Sequence, residues 1–251
     1  MLVLRSALFN LLFYLMLIGF MLAGLPVLFM GRPTILRYCA GWARSSLALL
    51  RLVCGLDIEV RGRERLRPGA MVVAAKHQSF WDVVALAALL PDFTFILKRE
   101  LALIPLFGLY VTRAGQIAID RAKGRAALSQ ATAKAKPVFD EGRQLVIFPE
   151  GTRRPPGAPP LYKFGVAFLY GDGGVACLPV ALNSGLFWPR RSFLRRPGRV
   201  TIEFLEPIEP GLERGDFLAL LQKRIETASD RLLDEALARD PSLAHAALAR
   251  A

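Results

Sequence analysis

The chain opens on an unbroken hydrophobic run. Residues 6–31 are 26 positions without a charged side chain, and about 20 apolar residues let a helix cross the hydrocarbon core of a bilayer. A cleaved signal peptide fits less well, because the run is longer than the usual apolar segment and lacks a clear small-x-small cleavage site. Gly19, Gly24 and Pro26 leave room for a kink. The pattern therefore predicts a membrane-inserted helix without deciding whether it spans the bilayer or enters one leaflet.

The next stretch, residues 34–54, combines apolar side chains with arginines at seven-residue intervals, Arg37, Arg44 and Arg51. On a helix these arginines form one narrow cationic stripe, which is typical of a helix lying in the membrane interface with its arginines toward lipid phosphates. The alternative is a helix packed on the folded domain with its arginines in water. Gly55 ends this helix. On either interpretation we predict that residues 1–55 form a two-helix N-terminal membrane anchor.

After residue 55 short apolar runs alternate with amphipathic ones. The strands are predicted at 57–61, 71–75, 93–97, 116–119, 145–148, 175–182 and 199–205. The helices are predicted at 80–90, 123–141, 163–170 and 216–238. Such alternation predicts an α/β domain over residues 56–240, with a mostly parallel central sheet flanked by helices. Residues 241–251 form an Ala-rich tail.

Composition and charge add a membrane and an anionic partner to this picture. The chain is 53% hydrophobic with a mean hydropathy of +0.36, which is too apolar for an ordinary soluble enzyme. Its net charge of +12 indicates an anionic partner, for which nucleic acid, an anionic membrane surface and a phosphorylated substrate all qualify.

Two features indicate which compartment the domain faces. Only Arg5 precedes the apolar run, whereas Arg32 and the three arginines of the stripe follow it, so the positive-inside rule directs the bulk of the chain to the cytoplasm. Three cysteines are an odd number without metal-like spacing, which favours reduced thiols in the cytoplasm.

The first candidate for chemistry is the segment 76–82, which reads Lys-His-Gln-Ser-Phe-Trp-Asp. His77 follows a predicted buried strand, and Ser79 is predicted as a helix N-cap with Asp82 in a capping-box-like position. A turn between them lets the Asp82 carboxylate hold one nitrogen of the imidazole, which leaves the other nitrogen free to take a proton. The alternative is that Asp82 only caps the helix and His77 is an ordinary loop residue, and these seven residues do not choose between the two.

Basic residues recur at the ends of three other predicted strands. Lys98 follows the third strand, Arg121 closes the segment 115–121, and Arg153 closes the segment 148–153, Phe-Pro-Glu-Gly-Thr-Arg. Each has a simpler alternative, as a solvated charge pair, a helix cap beside a salt bridge, or a turn. However, α/β proteins place their sites at strand ends, and cations grouped beside a poised base indicate a phosphate clamp.

These motifs, in this order, resemble the four motifs of the glycerophospholipid acyltransferase family. They are His77 and Asp82 separated by four residues, the segments 115–121 and 148–153, and the segment 178–181, Leu-Pro-Val-Ala. The sequence is most similar to the family's 1-acyl-glycerol-3-phosphate acyltransferases, over residues 60–205, and its N-terminal anchor resembles that of the bacterial membrane-bound form.

The resemblance implies transfer of a fatty acyl group from acyl-CoA or acyl-carrier protein to the sn-2 hydroxyl of lysophosphatidic acid, at the cytoplasmic face of the inner membrane. It implies that His77 is the general base and that Asp82 orients it. The residues that it assigns to the substrate phosphate are Lys98, Arg121 and Arg153. Those that it assigns to the shape of the acceptor site are Glu150, Gly151, Thr152 and Pro179.

A thioester is already activated, so we expect no metal and no organic cofactor. The remaining tasks are to make an alcohol nucleophilic and to stabilise an oxyanion, for which backbone N–H groups at the start of the helix at 79–82 are one candidate. Two departures from the family pattern, Ala118 in the second motif and the Pro-rich loop 154–160, bear on substrate preference rather than on activity.

The segment 188–199 contains five arginines beside Trp188, Phe193 and Leu194. Anionic lipid headgroups, an acidic acyl-carrier protein and the phosphates of coenzyme A would each suit it, whereas nucleic acid is disfavoured on a membrane-anchored chain. Three alternative functions remain: acylation of another lysolipid such as an amino-acid-containing one, hydrolysis by water, and non-enzymatic binding of anionic lipid. A serine hydrolase is disfavoured because the sequence has no Gly-x-Ser-x-Gly motif.

Overall fold

A computed structural model describes residues 1–120 and 124–244, and its centre is a seven-stranded sheet in the order β1-β7-β6-β2-β5-β3-β4. All neighbouring strands run parallel except β6 and β7. The strands are β1 (Leu56–Arg61), β2 (Met71–Ala75), β3 (Phe93–Lys98), β4 (Ile117–Ile119), β5 (Gln144–Ile147), β6 (Ala176–Leu182) and β7 (Gly198–Phe204). The predicted fold class, a mostly parallel sheet flanked by helices, is confirmed.

Seven α-helices surround or precede this sheet in the described residues. They are α1 (Leu2–Ala23), α2 (Arg32–Cys54), α3 (Trp81–Leu89), α4 (Phe107–Arg113), α5 (Arg125–Asp140), α6 (Gly165–Gly173) and α7 (Arg214–Arg239). The sequence analysis missed only α4, which has seven residues and follows Leu106, a non-glycine residue with a φ of 63°. A short helix entered through a left-handed residue gives little periodic signal.

The side chains of β2 show why its apolar run is continuous. Val73 and Ala75 pack into the hydrophobic cluster on the side of α1, α2 and α3, whereas Val72 and Ala74 pack into the cluster on the side of α5, α6 and α7. Because successive side chains point to opposite faces, a strand covered on both faces must be apolar at every position. His77 and its neighbours therefore follow the most deeply buried part of the sheet.

The predicted two-helix membrane anchor is corrected to one helix. In the described part of the chain only α1 is long and apolar enough to cross a membrane. Helix α2 packs against α1, α3 and β1 and buries one face, including Ile35, Ala43 and Leu50, while Arg37 and Arg44 stay exposed. An amphipathic pattern is the same whether its apolar face meets lipid or protein, and here that face meets protein.

Helix α1 also contacts the domain along one side. Phe13 packs edge-on against Phe80 and Trp188, and the Ser6 hydroxyl accepts a hydrogen bond of 2.9 Å from the backbone N–H of Arg195. The domain boundary predicted at residue 55 stays a prediction, but hydrophobic contacts cross it on both helices.

Two leucines on α2 give a matched test of its packing. Leu50 is 1% exposed and Leu52 is 82% exposed. We expect Leu50→Ala to lower the free energy of unfolding by about 2–5 kcal/mol because it leaves a cavity, and Leu52→Ala to change it by less than about 0.5 kcal/mol. Urea unfolding in detergent, followed by circular dichroism, measures both. Equal effects would show that α2 is not part of the folded core.

Candidate active site

The Asp82 carboxylate lies at the centre of the segment 76–82 and is fully buried. Its Oδ2 is 2.9 Å from Nδ1 of His77 and accepts hydrogen bonds from the backbone N–H groups of Gln78 at 2.7 Å and Ser79 at 2.9 Å. Its Oδ1 accepts a hydrogen bond from the Ser184 hydroxyl. The predicted His77–Asp82 pair is therefore formed, and Nδ1 carries the proton because the carboxylate can only accept.

The predicted N-cap is wrong by one residue: the N-cap of α3 is Phe80, which makes no side-chain capping bond, and Ser79 precedes it. The Ser79 hydroxyl accepts from the Trp81 N–H at 3.1 Å, and Asp82 lies in the first turn of α3. The same bonds argue against the prediction that backbone N–H groups in this turn form an oxyanion site. The N–H groups of Gln78, Ser79 and Trp81 are all used within the motif, so they cannot also bind a substrate oxygen.

The His77 ring is held in place by stacking as well as by Asp82. It lies on the Phe148 ring with the ring centroids 3.8 Å apart and the planes 18° from parallel. The His77 side chain is 15% exposed to solvent, and no described residue hydrogen-bonds to its Nε2. Nε2 is therefore the nitrogen available to a substrate.

His77 faces a cavity of about 430 Å³ with two unlike ends. Its polar end is lined by His77, Lys98, Thr152, Arg153 and Arg190. Its apolar end lies between the N-terminal helices and the domain, and its walls include Leu17, Phe20, Met21, Cys39, Trp42 and Tyr110. Burial raises the pKa of the Cys39 thiol to about 11, so that side chain is a neutral part of the wall. Such a cavity suits a molecule with an anionic head and a long apolar chain.

Two arginines approach each other at the polar end. Arg190 donates a hydrogen bond of 3.2 Å from Nη1 to the Arg153 carbonyl oxygen. Burial, together with the charge of Arg190, lowers the pKa of the Arg153 guanidinium. Lys98 is exposed and pairs with Glu100 at 3.0 Å, an ion pair that water screens and that an incoming phosphate can replace. Two half-buried arginine side chains that line the same cavity favour the binding of an anion there.

The remaining predicted site residues divide into three groups. Gly151 and Thr152 line the cavity. Glu150 and Pro179 do not: Glu150 is buried behind the site against Lys76, and Pro179 lies inside β6 beside Ala74 of β2. Arg121 lies outside the described residues, as does the second histidine, His245.

Three residues of the site were not among the predicted ones. Ser184 and Gln78 have no sequence signal, because each acts through a contact with a distant segment; the Gln78 side-chain oxygen accepts from the Gly185 N–H at 3.0 Å. Arg190 belongs to the arginine-rich segment 188–199, whose density of charge was the available signal. In the same segment Arg195 is buried and lies over the Trp188 ring at 4.0 Å, so this arginine is structural.

Comparisons with known proteins agree with this geometry. Residues 57–183, about half of the chain, match the family model described as Acyltransferase. The chain is 35% identical to a 1-acyl-sn-glycerol-3-phosphate acyltransferase of Pseudomonas aeruginosa, over 64% of this chain and 63% of that protein. It is 32% identical to a 1-acyl-sn-glycerol-3-phosphate acyltransferase alpha of mouse, over 66% of this chain and 60% of that protein.

A solved structure extends the likeness to the fold. The crystal structure of the 1-acyl-sn-glycerophosphate (LPA) acyltransferase PlsC from Thermotoga maritima superposes with a TM-score of 0.78 at 24% identity. The match covers 92% of this chain and 98% of that one. By contrast, the sequence matches span less than two thirds of the curated relatives named above.

The donors around Asp82 predict the outcome of a conservative substitution. In Asp82→Asn the backbone N–H groups of Gln78 and Ser79 can donate only to an oxygen at the Oδ2 position, so the amide nitrogen must face Ser184. We expect the proton of neutral His77 to stay on Nδ1, although the negative charge is lost. Nitrogen-15 chemical shifts of the imidazole, with His245→Ala present in both proteins to leave one histidine, report the tautomer. A proton on Nε2 would show that the backbone donors do not fix this side chain.

Proposed function

The chain belongs to the acyltransferase family, and we propose that it transfers a fatty acyl group from a thioester to the free sn-2 hydroxyl of 1-acyl-glycerol-3-phosphate, giving phosphatidic acid. One observation carries this proposal: His77, which Asp82 holds from behind, lines the same cavity as Arg153 and Arg190, and most of the remaining lining is apolar. Related proteins named as acyltransferases of this substrate support it.

In the proposed reaction Nε2 of His77 takes the proton of the acceptor hydroxyl as that oxygen attacks the thioester carbonyl. The Asp82 carboxylate stabilises the imidazolium that forms, through the 2.9 Å contact at Nδ1. When the tetrahedral intermediate collapses, the C–S bond breaks and the C–O bond of the new ester remains. The proton passes from His77 to the leaving sulfur, which departs as a thiol, and His77 returns to its neutral form.

Arg153, Arg190 and Lys98 would bind the phosphate of the acceptor, and Arg121 remains a further candidate from its motif. Binding of the phosphate at the polar end of the cavity holds the hydroxyl near His77. The binding free energy thereby offsets part of the entropy that a bimolecular encounter would lose. Gly151 and Thr152 would shape this end of the cavity. The acyl chain would lie along the apolar end.

The donor is either acyl-CoA or acyl-carrier protein. Because both present the acyl group as an activated thioester, we propose that the reaction uses no metal and no organic cofactor. The exposed arginines of segment 188–199 suit the phosphates of coenzyme A and an acidic carrier protein equally well. Nucleic acid is not a proposed partner.

The proposed site of action is the cytoplasmic face of the inner membrane. The side of α1 that faces away from the domain is apolar and exposed, with Leu4 at 68%, Leu11 at 59% and Leu15 at 57%. A second exposed apolar patch, which includes Leu103 at 70% and Leu109 at 54%, lies on and before α4, close to the end of α1. Exposed groups of large apolar side chains, with arginines in the same part of the fold, fit an anionic lipid surface.

Replacement of the base tests the reaction directly. We expect His77→Ala to lower kcat about 10²–10⁴-fold, since the acceptor hydroxyl loses its general base. The control His245→Ala should keep full turnover, and both variants should float with anionic vesicles. The assay uses lysophosphatidate with acyl-CoA or acyl-carrier protein and resolves the product lipids. Near-normal turnover of His77→Ala would refute the assignment, and release of free fatty acid without an acceptor would favour hydrolysis.

The proposed phosphate clamp predicts a selective effect on one acceptor. We expect Arg153→Ala to raise KM for lysophosphatidate about 10- to 100-fold, because a charge-assisted hydrogen bond is lost. Its effect on a monoacylglycerol acceptor, which has no phosphate, should be small. The matched control is Arg63→Ala, which removes an exposed arginine that does not line the cavity. Equal losses with both acceptors would contradict a phosphate role for Arg153.

A further inference from the structure

A buried ionic cluster lies directly behind the active-site cavity. Nζ of Lys76 is 3.1 Å from Oε1 of Glu150 and 2.8 and 2.9 Å from the two carboxylate oxygens of Glu226. The side chains of Lys76 and Glu150 are 3% and 1% exposed, and that of Glu226 is 17% exposed. Nothing in the proposed chemistry uses these groups, although buried charges are costly unless they are paired.

The cluster joins four separate parts of the fold. Lys76 follows β2, Glu150 lies in the loop after β5, and Glu226 lies on α7. The Tyr162 hydroxyl, from the segment before α6, donates to Oε1 of Glu226 at 2.8 Å. Burial and the charge of Glu226 raise the pKa of that hydroxyl, so it stays a donor. Nε of Arg154 lies 3.7 Å from the same Oε1 of Glu150 that Lys76 contacts.

Two members of the cluster are close neighbours of the reacting and binding groups along the chain. Lys76 immediately precedes His77, and Glu150 lies three residues before Arg153. The two loops also touch through the backbone, since the Arg154 N–H donates to the His77 carbonyl at 2.8 Å. The ionic contact and this backbone bond together fix the loop of the base relative to the loop of the phosphate clamp.

We propose that Lys76 and Glu226 are positioning residues that set the separation between His77 and Arg153, and thereby the preference for a phosphorylated acceptor. The inference rests on the proposed function. Glu226 lies on helix α7, outside residues 57–183, the part matched by the family model. In this proposal α7 contributes to selectivity although none of its residues lines the cavity. When the separation is correct, an acceptor bound by its phosphate presents its hydroxyl to Nε2.

The composition of the cluster decides which substitution is informative. Lys76→Met would remove the cation that pairs with both carboxylates and leave Glu226 without a basic partner in the cluster, which threatens folding. Glu226→Gln keeps the shape and an oxygen that can accept from Lys76, while Glu150 still balances the lysine charge. Tyr162→Phe removes only one donor. These two variants therefore loosen the cluster in two steps without leaving an unpaired charge.

The measured quantity is the ratio of kcat/KM for lysophosphatidate to kcat/KM for a monoacylglycerol, with purified full-length enzyme and a single acyl donor. We expect Glu226→Gln to lower this ratio on the order of tenfold, because a small displacement of the clamp misplaces only the acceptor held by it. Tyr162→Phe should lower the ratio less. A loss of folded enzyme would lower both rates equally and leave the ratio unchanged.

Glu235→Gln is the matched control on the same helix. Glu235 accepts from Arg61 at 2.8 Å and from Arg231 at 2.7 Å, and it lies nine residues, about 13 Å, beyond Glu226. We expect this variant to keep the wild-type ratio even if its melting temperature falls.

The outcomes separate this inference from the proposed function. If wild-type enzyme fails to acylate lysophosphatidate, the proposed function is wrong. If the wild type is active but the ratio is unchanged in Glu226→Gln and Tyr162→Phe, the cluster is only structural and the inference is overturned. Should Glu226→Gln not fold, an unchanged ratio in Tyr162→Phe alone overturns it.

Discussion

The burial of one carboxylate, that of Asp82, constrains the whole active site. An ionised carboxylate removed from water is stable only when hydrogen-bond donors surround it. Asp82 meets this need with the His77 ring, the N–H groups of Gln78 and Ser79, and the Ser184 hydroxyl. The first three come from the turn before α3 and the last from the chain after β6, more than 100 residues away. The orientation of the His77 ring and the closure of the fold around it therefore depend on each other.

The order of the strands explains how distant motifs reach one place. His77, Arg153 and Ser184 follow β2, β5 and β6, and Lys98 is the last residue of β3. These four strands are consecutive neighbours in the sheet and run parallel. Their carboxyl ends therefore meet at one edge, the usual position of a site in an α/β fold. The next strand beyond β6 is β7, which runs in the opposite direction. The loop that carries Ser184 is thus the last carboxyl end available on that side.

Local rules of sequence were sufficient for the strands, for the helices other than α4, and for the contact between His77 and Asp82, because these depend on periodicity and on residues close in the chain. They were insufficient for Ser184 and Arg190, whose positions depend on the order of the strands, and for α2, whose apolar face suits lipid and protein alike.

Pro179 shows how the fold accommodates a proline within a strand that has neighbours on both sides. Its carbonyl accepts from the N–H of Leu205, just past the end of β7, so its missing N–H falls one residue beyond the last regular pair of β6 and β7, Val180 with Phe204.

The N-terminal helix is part of the cavity and not only a tether. Phe20 and Met21 line the apolar end of the cavity, while Leu22 in the same turn is 55% exposed. The hydroxyls of Tyr38 and Tyr110 donate to the carbonyls of Phe20 and Met21 at 2.7 and 2.8 Å, in the last turn of the helix. Helix α1 is thereby fixed to α2 and α4 at its carboxyl end. With the outer face of α1 in lipid, as proposed, this one helix separates the bilayer from the cavity. A lipid substrate would then move only a short distance to bring its head group to His77. Its acyl chain would remain in apolar surroundings throughout.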